Sequence, residues 1–413
     1  MLHGWQYLRP EDLETIARGI ADGEVHGGPF HIELDWVDAC NAKCFFCASS
    51  AVHSDKTLSW ARAHEILEEA RRGGLRSIRL AGGGEPLLHP NLPDLADWLA
   101  ANDIVLDQVN TNGIALNDSR IAALMVPRIG EVHVSLNYSD AESYAEGMRL
   151  PAQVFDKVCE GISRLDEARR REGSRLGRLS VQFFVYKRTL GQIGRMYELG
   201  RRLGTDRISF MELYGIDPAL QYCESDVPAI AAQMREIMQD DNEGRIESLL
   251  WSRGAGPAIK AIERELRPQK REETIDFNTR FCFIAWYSMT VIGSEAVYPC
   301  CFFFDEPKGL DDLNGKSLDE VWRGPHYRRM REEFRRWFLT GIRVPMFSRR
   351  HRHMKLACAS HSACPLTISL ADESFYAMVN ERLEKERGKI GTRIKVIPEK
   401  LGRTILDALR RGK

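Results

Sequence analysis

The stretch FHIELDWVDACNAKCFFC, residues 30–47, joins an alternating polar and apolar segment directly to three closely spaced cysteines. Alternation over residues 30–37 is typical of a β-strand with one buried face. Cys40, Cys44 and Cys47 follow, with three and then two residues between them. Enzymes built on α/β barrels carry their reactive groups where the strands end. The stretch therefore predicts a first strand followed by a loop with a chemical role.

Downstream of this loop, strand patterns and helix patterns alternate as far as residue 213. Further strands are predicted over residues 77–81, 104–109, 131–136, 179–186 and 207–213, with helical periodicity between them. Six strands that alternate with helices indicate a parallel sheet. We therefore expect the α/β class, with a partial (β/α)6 TIM-type barrel.

The composition excludes several classes of protein. Lys and Arg together number 58, Asp and Glu number 59, and the net charge is −1, so there is no basic domain of the kind that binds nucleic acid. No apolar run approaches the ~18 residues of a membrane helix, and the first residues do not read as a secretory signal. We expect a cytoplasmic protein with no membrane or nucleic-acid partner. Ten cysteines in such a chain indicate metal binding or catalysis rather than disulfides.

The three thiols on the loop suit an iron–sulfur cluster, because clusters are held by cysteine thiolates. A [4Fe–4S] cube has four irons, so three ligands leave one iron open for a further ligand. A zinc site is the alternative, but His53 is the one candidate for a fourth ligand near the three cysteines.

Three further motifs follow at the ends of successive predicted strands: Gly83-Gly84-Glu85-Pro86, Thr111-Asn112-Gly113 and Ser135-Leu136-Asn137. Together with the cysteine spacing, they resemble the radical S-adenosylmethionine (radical SAM) superfamily over roughly residues 30 to 215. The resemblance implies that S-adenosylmethionine binds the open iron and is reductively cleaved to a 5′-deoxyadenosyl radical. It implies the cluster ligands Cys40, Cys44 and Cys47, and cofactor contacts from Phe46, Gly83, Gly84, Glu85, Ser135 and Asn137.

A second group of cysteines lies between residues 282 and 364. Cys282, Gly293, Cys300 and the pattern SLDEVWRGPHYRRMR at 317–331 resemble the SPASM and twitch extensions of radical SAM enzymes. Five cysteines in this region are too few for the two auxiliary clusters of a full SPASM domain. The resemblance thus implies that the barrel is followed by a smaller α+β domain with one auxiliary [4Fe–4S] cluster of the twitch type. Zinc in the same site is the alternative. The expected ligands are Cys282, Cys300, Cys358 and Cys364, with the choice between Cys300 and Cys301 open.

These patterns divide the chain into an N-terminal lead-in (1–29), the barrel (30–225), a helical linker (226–280), the twitch/SPASM-like auxiliary domain (281–370) and a helical tail (371–413). Cys223, after the sixth strand, is a candidate hydrogen-atom donor to a substrate radical, or an inert thiol. The basic loop at 349–355 attracts an anionic substrate or an acidic flavodoxin or ferredoxin-type electron donor, or it is simply solvated.

The resemblance implies hydrogen-atom abstraction, and the substrate stays open. We expect a small-molecule natural product, sugar-like or aminocyclitol-like, that is oxidised or epimerised. The alternative is modification of a ribosomal peptide or protein side chain by the same chemistry. Residues 1–29 are too few for a leader-binding domain before the first strand, and a single auxiliary cluster is expected, so the sequence favours the small molecule.

Overall fold

One ten-stranded sheet organises the molecule. The computed structural model describes residues 4–47, 54–125, 129–171, 177–213, 217–250, 255–266, 282–299, 309–340 and 373–391. The strands are β1 (His31–Asp35), β2 (Ser77–Leu80), β3 (Val105–Thr111), β4 (Ile129–Asn137), β5 (Arg178–Val185), β6 (Arg207–Glu212), β7 (Ile246–Leu249), β8 (Ser288–Ile292), β9 (Ala296–Tyr298) and β10 (Asp311–Asp312). Their spatial order is β10-β9-β8-β1-β2-β3-β4-β5-β6-β7.

Helices connect the strands and flank the sheet. They are α1 (Pro10–Asp22), α2 (Trp60–Gly73), α3 (Leu92–Ala101), α4 (Ser119–Met125), α5 (Ala141–Met148), α6 (Gln153–Arg171), α7 (Ile193–Arg202), α8 (Val227–Asp240), α9 (Ala255–Leu266), α10 (Leu318–Trp322), α11 (Pro325–Thr340) and α12 (Glu373–Gly391). The pairs from β8 through β1 to β7 are parallel, whereas β9 pairs antiparallel with both β8 and β10. This architecture confirms the α/β class and the partial barrel followed by a smaller cluster-binding region.

All six predicted barrel strands are present, but the sheet extends beyond them on both sides. At one edge, β7 pairs with β6 inside the region predicted to be a helical linker. A four-residue strand carries too little periodicity to be recognised from sequence. At the other edge, β8 pairs with β1 along its whole length, from His31 opposite Ser288 to Asp35 opposite Ile292. The auxiliary region therefore continues the sheet of the barrel.

The segment that contains the SLDEVW pattern forms two helices in the structure. Ser317 caps α10, accepting from the backbone N–H of Glu320 while the Glu320 carboxylate accepts from the Ser317 N–H. The helix ends at Trp322, and α11 begins at Pro325. Proline has no N–H to donate within a helix and is tolerated in a first turn, which explains the break.

The two faces of the barrel strands differ in polarity. Ile32, Leu34, Ile78 and Leu80 are fully buried in the core beneath the helices. The alternate positions carry polar groups such as Arg79, which lines an interior cavity of about 720 Å³. A second apolar core joins the auxiliary region to the terminal helices. No described helix is long and apolar enough to cross a membrane.

Candidate functional site

The cysteine loop leaves the end of β1 and packs against the C-terminal end of α5. The backbone N–H of Lys43 donates to the Met148 carbonyl, and that of Phe45 donates to the Gly147 carbonyl, both at 3.2 Å. Glycine is needed at position 147 because a Cβ there would lie 1.9 Å from the hydroxyl oxygen of Tyr138, the residue that follows β4. The path of the loop is therefore determined by an element about one hundred residues further along the chain.

The three cysteines of this loop form no disulfide and are half-buried. The backbone N–H of Ala42 donates to the Cys40 sulfur at 3.5 Å, and the Cys44 thiol donates to the Met148 sulfur at 3.5 Å. Burial raises the pKa of the Cys40 thiol, and burial together with the neighbouring thiols raises the pKa of Cys44 to about 12. The raised pKa values of Cys40 and Cys44 favour their thiol forms, so metal binding by these two residues would release protons.

The three cysteines do not form a single-ion site. Within the residues that the structure describes, no three His, Cys, Asp or Glu side chains are gathered closely enough to hold one metal ion. Cys47 stays near Cys44, since its backbone N–H donates to the Cys44 carbonyl at 3.3 Å. The three thiolates of a cluster bind three different irons and stand farther apart than ligands of one ion. A donor set of three thiols on one short loop fits an iron–sulfur cluster.

The GGEP loop after β2 lies directly against the residues that precede Cys40. The backbone N–H of Glu85 donates to the Ala39 carbonyl at 2.9 Å. A Cβ on Gly84 would lie 2.2 Å from that same Ala39 oxygen and 2.4 Å from the Val37 oxygen. Both contacts are with backbone, which cannot yield as a flexible side chain can. Glycine is therefore required at position 84 by the approach of the two loops.

Glu85 connects the ends of β2 and β3. Its buried carboxylate accepts from the Thr111 hydroxyl at 2.7 Å, from the Asn112 backbone N–H at 2.8 Å and from the Leu87 N–H at 3.2 Å. Burial raises its pKa to about 7, opposed by these three hydrogen bonds. Since its oxygens are already engaged, Glu85 acts as a brace between two motif loops.

Asn112 extends this brace to the cysteines, a contact that the sequence analysis did not assign. Its side-chain amide donates to the Asn41 side-chain oxygen at 2.7 Å and reaches the Cys40 sulfur at 3.8 Å. The Thr111-Asn112-Gly113 motif marked this segment in the sequence as part of the site. Motif spacing alone does not show which of its side chains turns toward the cysteines.

Asn137 occupies a strained position at the end of β4. Its φ is 65°, and a register shift interrupts the pairing of β4 with β5 just before it. Its side-chain nitrogen donates to the Met148 sulfur at 3.4 Å, and its oxygen accepts from Gln182 at 3.3 Å. Because Cys44 also contacts that sulfur, Met148 joins the cysteine loop to Asn137. Ser135 is half-buried on the same strand.

Phe46 is half-buried and packs on the ends of β4 and β5. Its ring centroid lies 4.7 Å from that of Phe184 and 6.3 Å from that of Tyr138. The predicted residues Phe46, Gly84, Glu85 and Asn137 are thus brought together with the cysteine loop at the carboxyl ends of the first five strands. Gly83 lies in the same GGEP loop, and a hydrogen bond from its backbone to the Asp35 carboxyl of β1 partly offsets the rise in the pKa of Asp35.

The auxiliary region is anchored to the cysteine loop through Asp38. Its fully buried carboxylate accepts from the backbone N–H of Gly293 at 2.8 Å and from the Ser54 hydroxyl at 2.7 Å. On α2, Arg62 donates to Glu295 at 3.0 Å and to the Leu313 carbonyl at 2.7 Å. The turn between β8 and β9 is therefore attached to the same βα unit that carries the three cysteines.

The structure places two of the remaining predicted cysteines. Cys282 is buried ahead of the short helical turn Ile284–Trp286. Cys223 is exposed in the connection between β6 and α8, and its thiol lies 3.1 Å from the Ser225 hydroxyl oxygen and 3.2 Å from an Asp226 oxygen. Cys300, Cys301, Cys358, Cys364 and the basic loop at 349–355 lie outside the described residues.

Family comparisons agree with this geometry. The profile of the radical SAM superfamily matches residues 36–181, and that of an iron–sulfur cluster-binding domain, SPASM, matches residues 282–353. A probable GTP 3′,8-cyclase of Methanococcus maripaludis is 26% identical over 221 residues, covering 51% of this chain and 71% of the relative. A PqqA peptide cyclase of Streptomyces rochei is 29% identical over 301 residues, covering 72% of this chain and 76% of the relative.

Solved structures share the fold at low sequence identity. SuiB of Streptococcus suis bound to its precursor peptide SuiA superposes with a TM-score of 0.57 and 17% identity, covering 77% of this chain and 70% of SuiB. The protein anSMEcpe with bound AdoMet and the Cp18Cys peptide gives a TM-score of 0.53 and 15% identity, covering 88% of this chain and 99% of that one. At this identity, the likeness concerns the fold alone.

Proposed function

Because the chain belongs to the radical SAM superfamily and carries a C-terminal SPASM domain, we propose that it modifies a side chain of a peptide or protein by radical chemistry. The radical SAM domain implies S-adenosylmethionine and a [4Fe–4S] cluster, and the SPASM domain implies auxiliary iron–sulfur clusters. When bound, the cluster and S-adenosylmethionine supply an organic radical that takes a hydrogen atom from a carbon atom of the substrate.

One observation carries the choice of a peptide. The similarity to the PqqA peptide cyclase extends over 72% of this chain, whereas the similarity to the probable GTP 3′,8-cyclase, whose name implies a nucleotide substrate, covers 51%. The structural relatives SuiB and anSMEcpe are also described with bound peptides. These comparisons support the peptide alternative at least as well as the small-molecule hypothesis that the sequence favoured.

The described donor set supports assigning the catalytic cluster to Cys40, Cys44 and Cys47. All three lie on one loop outside any disulfide, and no other described cysteine lies on that loop. The braces from Glu85 and Asn112 keep this loop in position before the metal arrives. For the auxiliary cluster we propose Cys282 together with Cys300, Cys358 and Cys364, of which only the first belongs to the described part of the chain.

For S-adenosylmethionine we propose contacts from the GGEP backbone at Gly83 and Gly84, and from Ser135, Asn137 and Phe46 across the barrel mouth. Asn137 is held at a positive φ, and such strain concentrates at functional positions. Phe46 presents a half-buried ring suitable for packing on a purine. Glu85 supports these contacts indirectly.

Incubation of the anaerobically reconstituted, reduced enzyme with S-adenosylmethionine tests the proposal. One arm contains synthetic peptides from open reading frames beside its gene, and the other contains sugars and aminocyclitols. We expect 5′-deoxyadenosine formation to rise with a peptide, together with a change in the peptide's mass. Stimulation by a sugar or aminocyclitol alone would instead restore the small-molecule hypothesis, with oxidation or epimerisation as its outcome.

Three cysteine variants extend this test. Cys40→Ala removes one proposed ligand and is expected to lose the iron of one cluster, about four irons per chain, and S-adenosylmethionine cleavage. Cys159→Ala, on α6, should retain both. Cys223→Ala should block product formation without blocking S-adenosylmethionine cleavage if its exposed thiol returns a hydrogen atom to the substrate.

A flavodoxin or ferredoxin-type donor is the proposed electron source. Turnover with such a donor is to be compared with turnover after chemical reduction of the enzyme.

A further inference from the structure

A chain of side-chain hydrogen bonds runs along β4 and β5 inside the barrel. The Ser180 hydroxyl donates to the Glu131 carboxylate at 2.5 Å and lies 2.8 Å from Nδ1 of His133. Nε2 of His133 lies 3.5 Å from the side-chain oxygen of Gln182. The Gln182 amide nitrogen in turn donates to the Asn137 side-chain oxygen at 3.3 Å. The chain therefore connects the lining of the interior cavity with a residue proposed to contact S-adenosylmethionine.

Both ends of this chain can only accept hydrogen bonds. At one end, burial acts to raise the pKa of Glu131, but the neighbouring His133 and Arg207 outweigh it and hold the pKa below the ordinary value. Glu131 is therefore an ionised carboxylate, which has no hydrogen to donate. At the other end, the Asn137 amide nitrogen donates to the Met148 sulfur at 3.4 Å. A thioether sulfur is only an acceptor.

The two accepting ends determine the direction of every hydrogen bond between them. The single hydrogen of Ser180 is given to the carboxylate, so Nδ1 of His133 donates to the Ser180 oxygen. Because the Asn137 nitrogen faces the Met148 sulfur, its oxygen accepts from the Gln182 nitrogen. The Gln182 oxygen is then left to accept from Nε2 of His133. Both ring nitrogens of His133 therefore donate, which only the protonated ring can do.

Glu131 supplies the counter-charge to this ring, since its carboxylate lies 3.8 Å from Nδ1 of His133. The same carboxylate lies 3.5 Å from Arg178 and 3.9 Å from Arg207, so it is shared among three cations. The other charged or titratable groups that line the cavity around His133 come from the neighbouring strands and the N-terminal segment: Tyr7, Arg79, Asp107, Arg178, Arg207 and Glu247. Removal of the Glu131 carboxylate would leave the ring beside two arginines.

We propose that His133 is a positioning residue for S-adenosylmethionine, which holds Gln182, and through it the side chain of Asn137, while both of its ring nitrogens are protonated. The inference rests on the proposed function, because it assumes the contact between Asn137 and the cofactor. Loss of the Nε2 hydrogen would leave two acceptors facing each other. Gln182 would then turn its nitrogen to the ring and its oxygen to the Asn137 oxygen, which breaks the bond to Asn137. The affinity for S-adenosylmethionine should therefore fall as the pH rises through the titration of His133.

Calorimetry on the reconstituted, oxidised holoenzyme measures this affinity between about pH 6 and 8, within the range in which histidine titrates. Wild type is compared with His133→Phe, and the ratio of their affinities cancels the titrations of the S-adenosylmethionine amino group and of Glu85, which both proteins share. We expect the wild type to bind about three- to tenfold more tightly at the acidic end, the value of one hydrogen bond. The ratio should fall to one or less at the alkaline end. A ratio that does not change with pH would overturn the proposal.

Glu131→Gln covers the case in which His133→Phe does not fold. It keeps the ring of His133 and an oxygen that can accept from Ser180, but it removes the counter-charge while Arg178 and Arg207 remain. Because nearby like charges disfavour a protonated ring, the fall in S-adenosylmethionine affinity should occur at lower pH than in the wild type. A pH profile identical to that of the wild type would contradict the inference.

Two further variants separate this inference from the proposed function. His26→Phe is the matched control, since His26 pairs with Asp22 at the surface, and it should bind S-adenosylmethionine like the wild type at every pH. Asn137→Gly removes the amide, and glycine accommodates the positive φ; it should weaken binding at every pH. If it does so and His133→Phe does not, the inference fails and the proposed contact stands. Unchanged affinity in Asn137→Gly would remove the contact, and the inference with it. None of these measurements uses a peptide, so the result of the peptide assay is independent.

Discussion

Replacement of Gly293 by alanine should loosen the connection between the auxiliary domain and the cysteine loop. The backbone N–H of Gly293 donates to the buried Asp38 carboxylate at 2.8 Å. An added Cβ would lie 2.7 Å from the same carboxylate oxygen and 2.8 Å from the Lys56 carbonyl oxygen. The clash therefore falls on the hydrogen bond that holds the turn between β8 and β9 in place.

Neither neighbour of the new methyl group can move easily. The Lys56 carbonyl already accepts from the Asp38 backbone N–H at 3.0 Å, and the Asp38 carboxylate also accepts from the Ser54 hydroxyl. Overpacking of this kind costs about 1–3 kcal/mol, and loss of a hydrogen bond to a charged group costs about 1.5–3 kcal/mol. Since one displacement relieves part of both, we expect a destabilisation of about 2–5 kcal/mol.

Urea unfolding of the reconstituted enzyme measures this loss, and limited proteolysis reports whether the auxiliary domain opens first. Gly194→Ala, on α7, is the matched control, because a Cβ there meets nothing within 4 Å. Alanine in a helix should leave that variant unchanged or more stable by up to about 1 kcal/mol. If Gly293→Ala unfolds at the same urea concentration as Gly194→Ala, the anchoring role of Asp38 is refuted.

Three further changes test the braces of the site and of the auxiliary region. Glu85→Gln should remove a pH dependence of the free energy of unfolding. Burial raises the Glu85 pKa from 4.5 to about 7, so the stabilisation from Glu85 is fully present below pH 4.5 and falls by about 3 kcal/mol as the pH rises to 7. Unfolding midpoints of the variant and the wild type, compared at several pH values, measure this difference. Gly84→Ala should prevent cluster assembly, seen as iron loss from an otherwise folded chain. Arg331→Met should lower the free energy of unfolding in urea by about 2–4 kcal/mol. The buried guanidinium donates to the Ala285 and Trp322 carbonyls at 2.7 Å, and both carbonyls would lose this donor. An unchanged urea midpoint would contradict a stabilising role for Arg331.

The barrel could be predicted from sequence because its signals are local. Each strand from β1 to β6 alternates polar and apolar residues or forms an apolar run, and amphipathic helices separate them. The strand β7 was not predictable, since Ile246–Leu249 is too short to show a period and becomes a strand by pairing with β6. The pairing of β8 with β1 is likewise a property of the assembled sheet.

The candidate site likewise has parts that the sequence predicts and parts that it does not. Spacing within one short segment determined the three-cysteine loop and the GGEP turn, because the order of residues along the chain is all that such motifs need. The contacts that position them depend on residues far away in sequence: Met148 lies 104 residues from Cys44, and Gly293 lies 255 residues from Asp38. No local pattern encodes such a distance.

The sequence by itself therefore determined the class of fold, the family and the thiols that suit a catalytic cluster. Only the tertiary structure decided that Glu85 is a brace and that Asp38 anchors the auxiliary domain. It also showed that Asp35 is buried at the end of β1 near Glu33, where its pKa is raised well above the ordinary value. In the sequence, Asp35 is one more polar residue of an alternating strand. Whether such a residue meets water, a counter-ion or nothing depends on which strands surround it, and that is settled when the sheet closes around its interior.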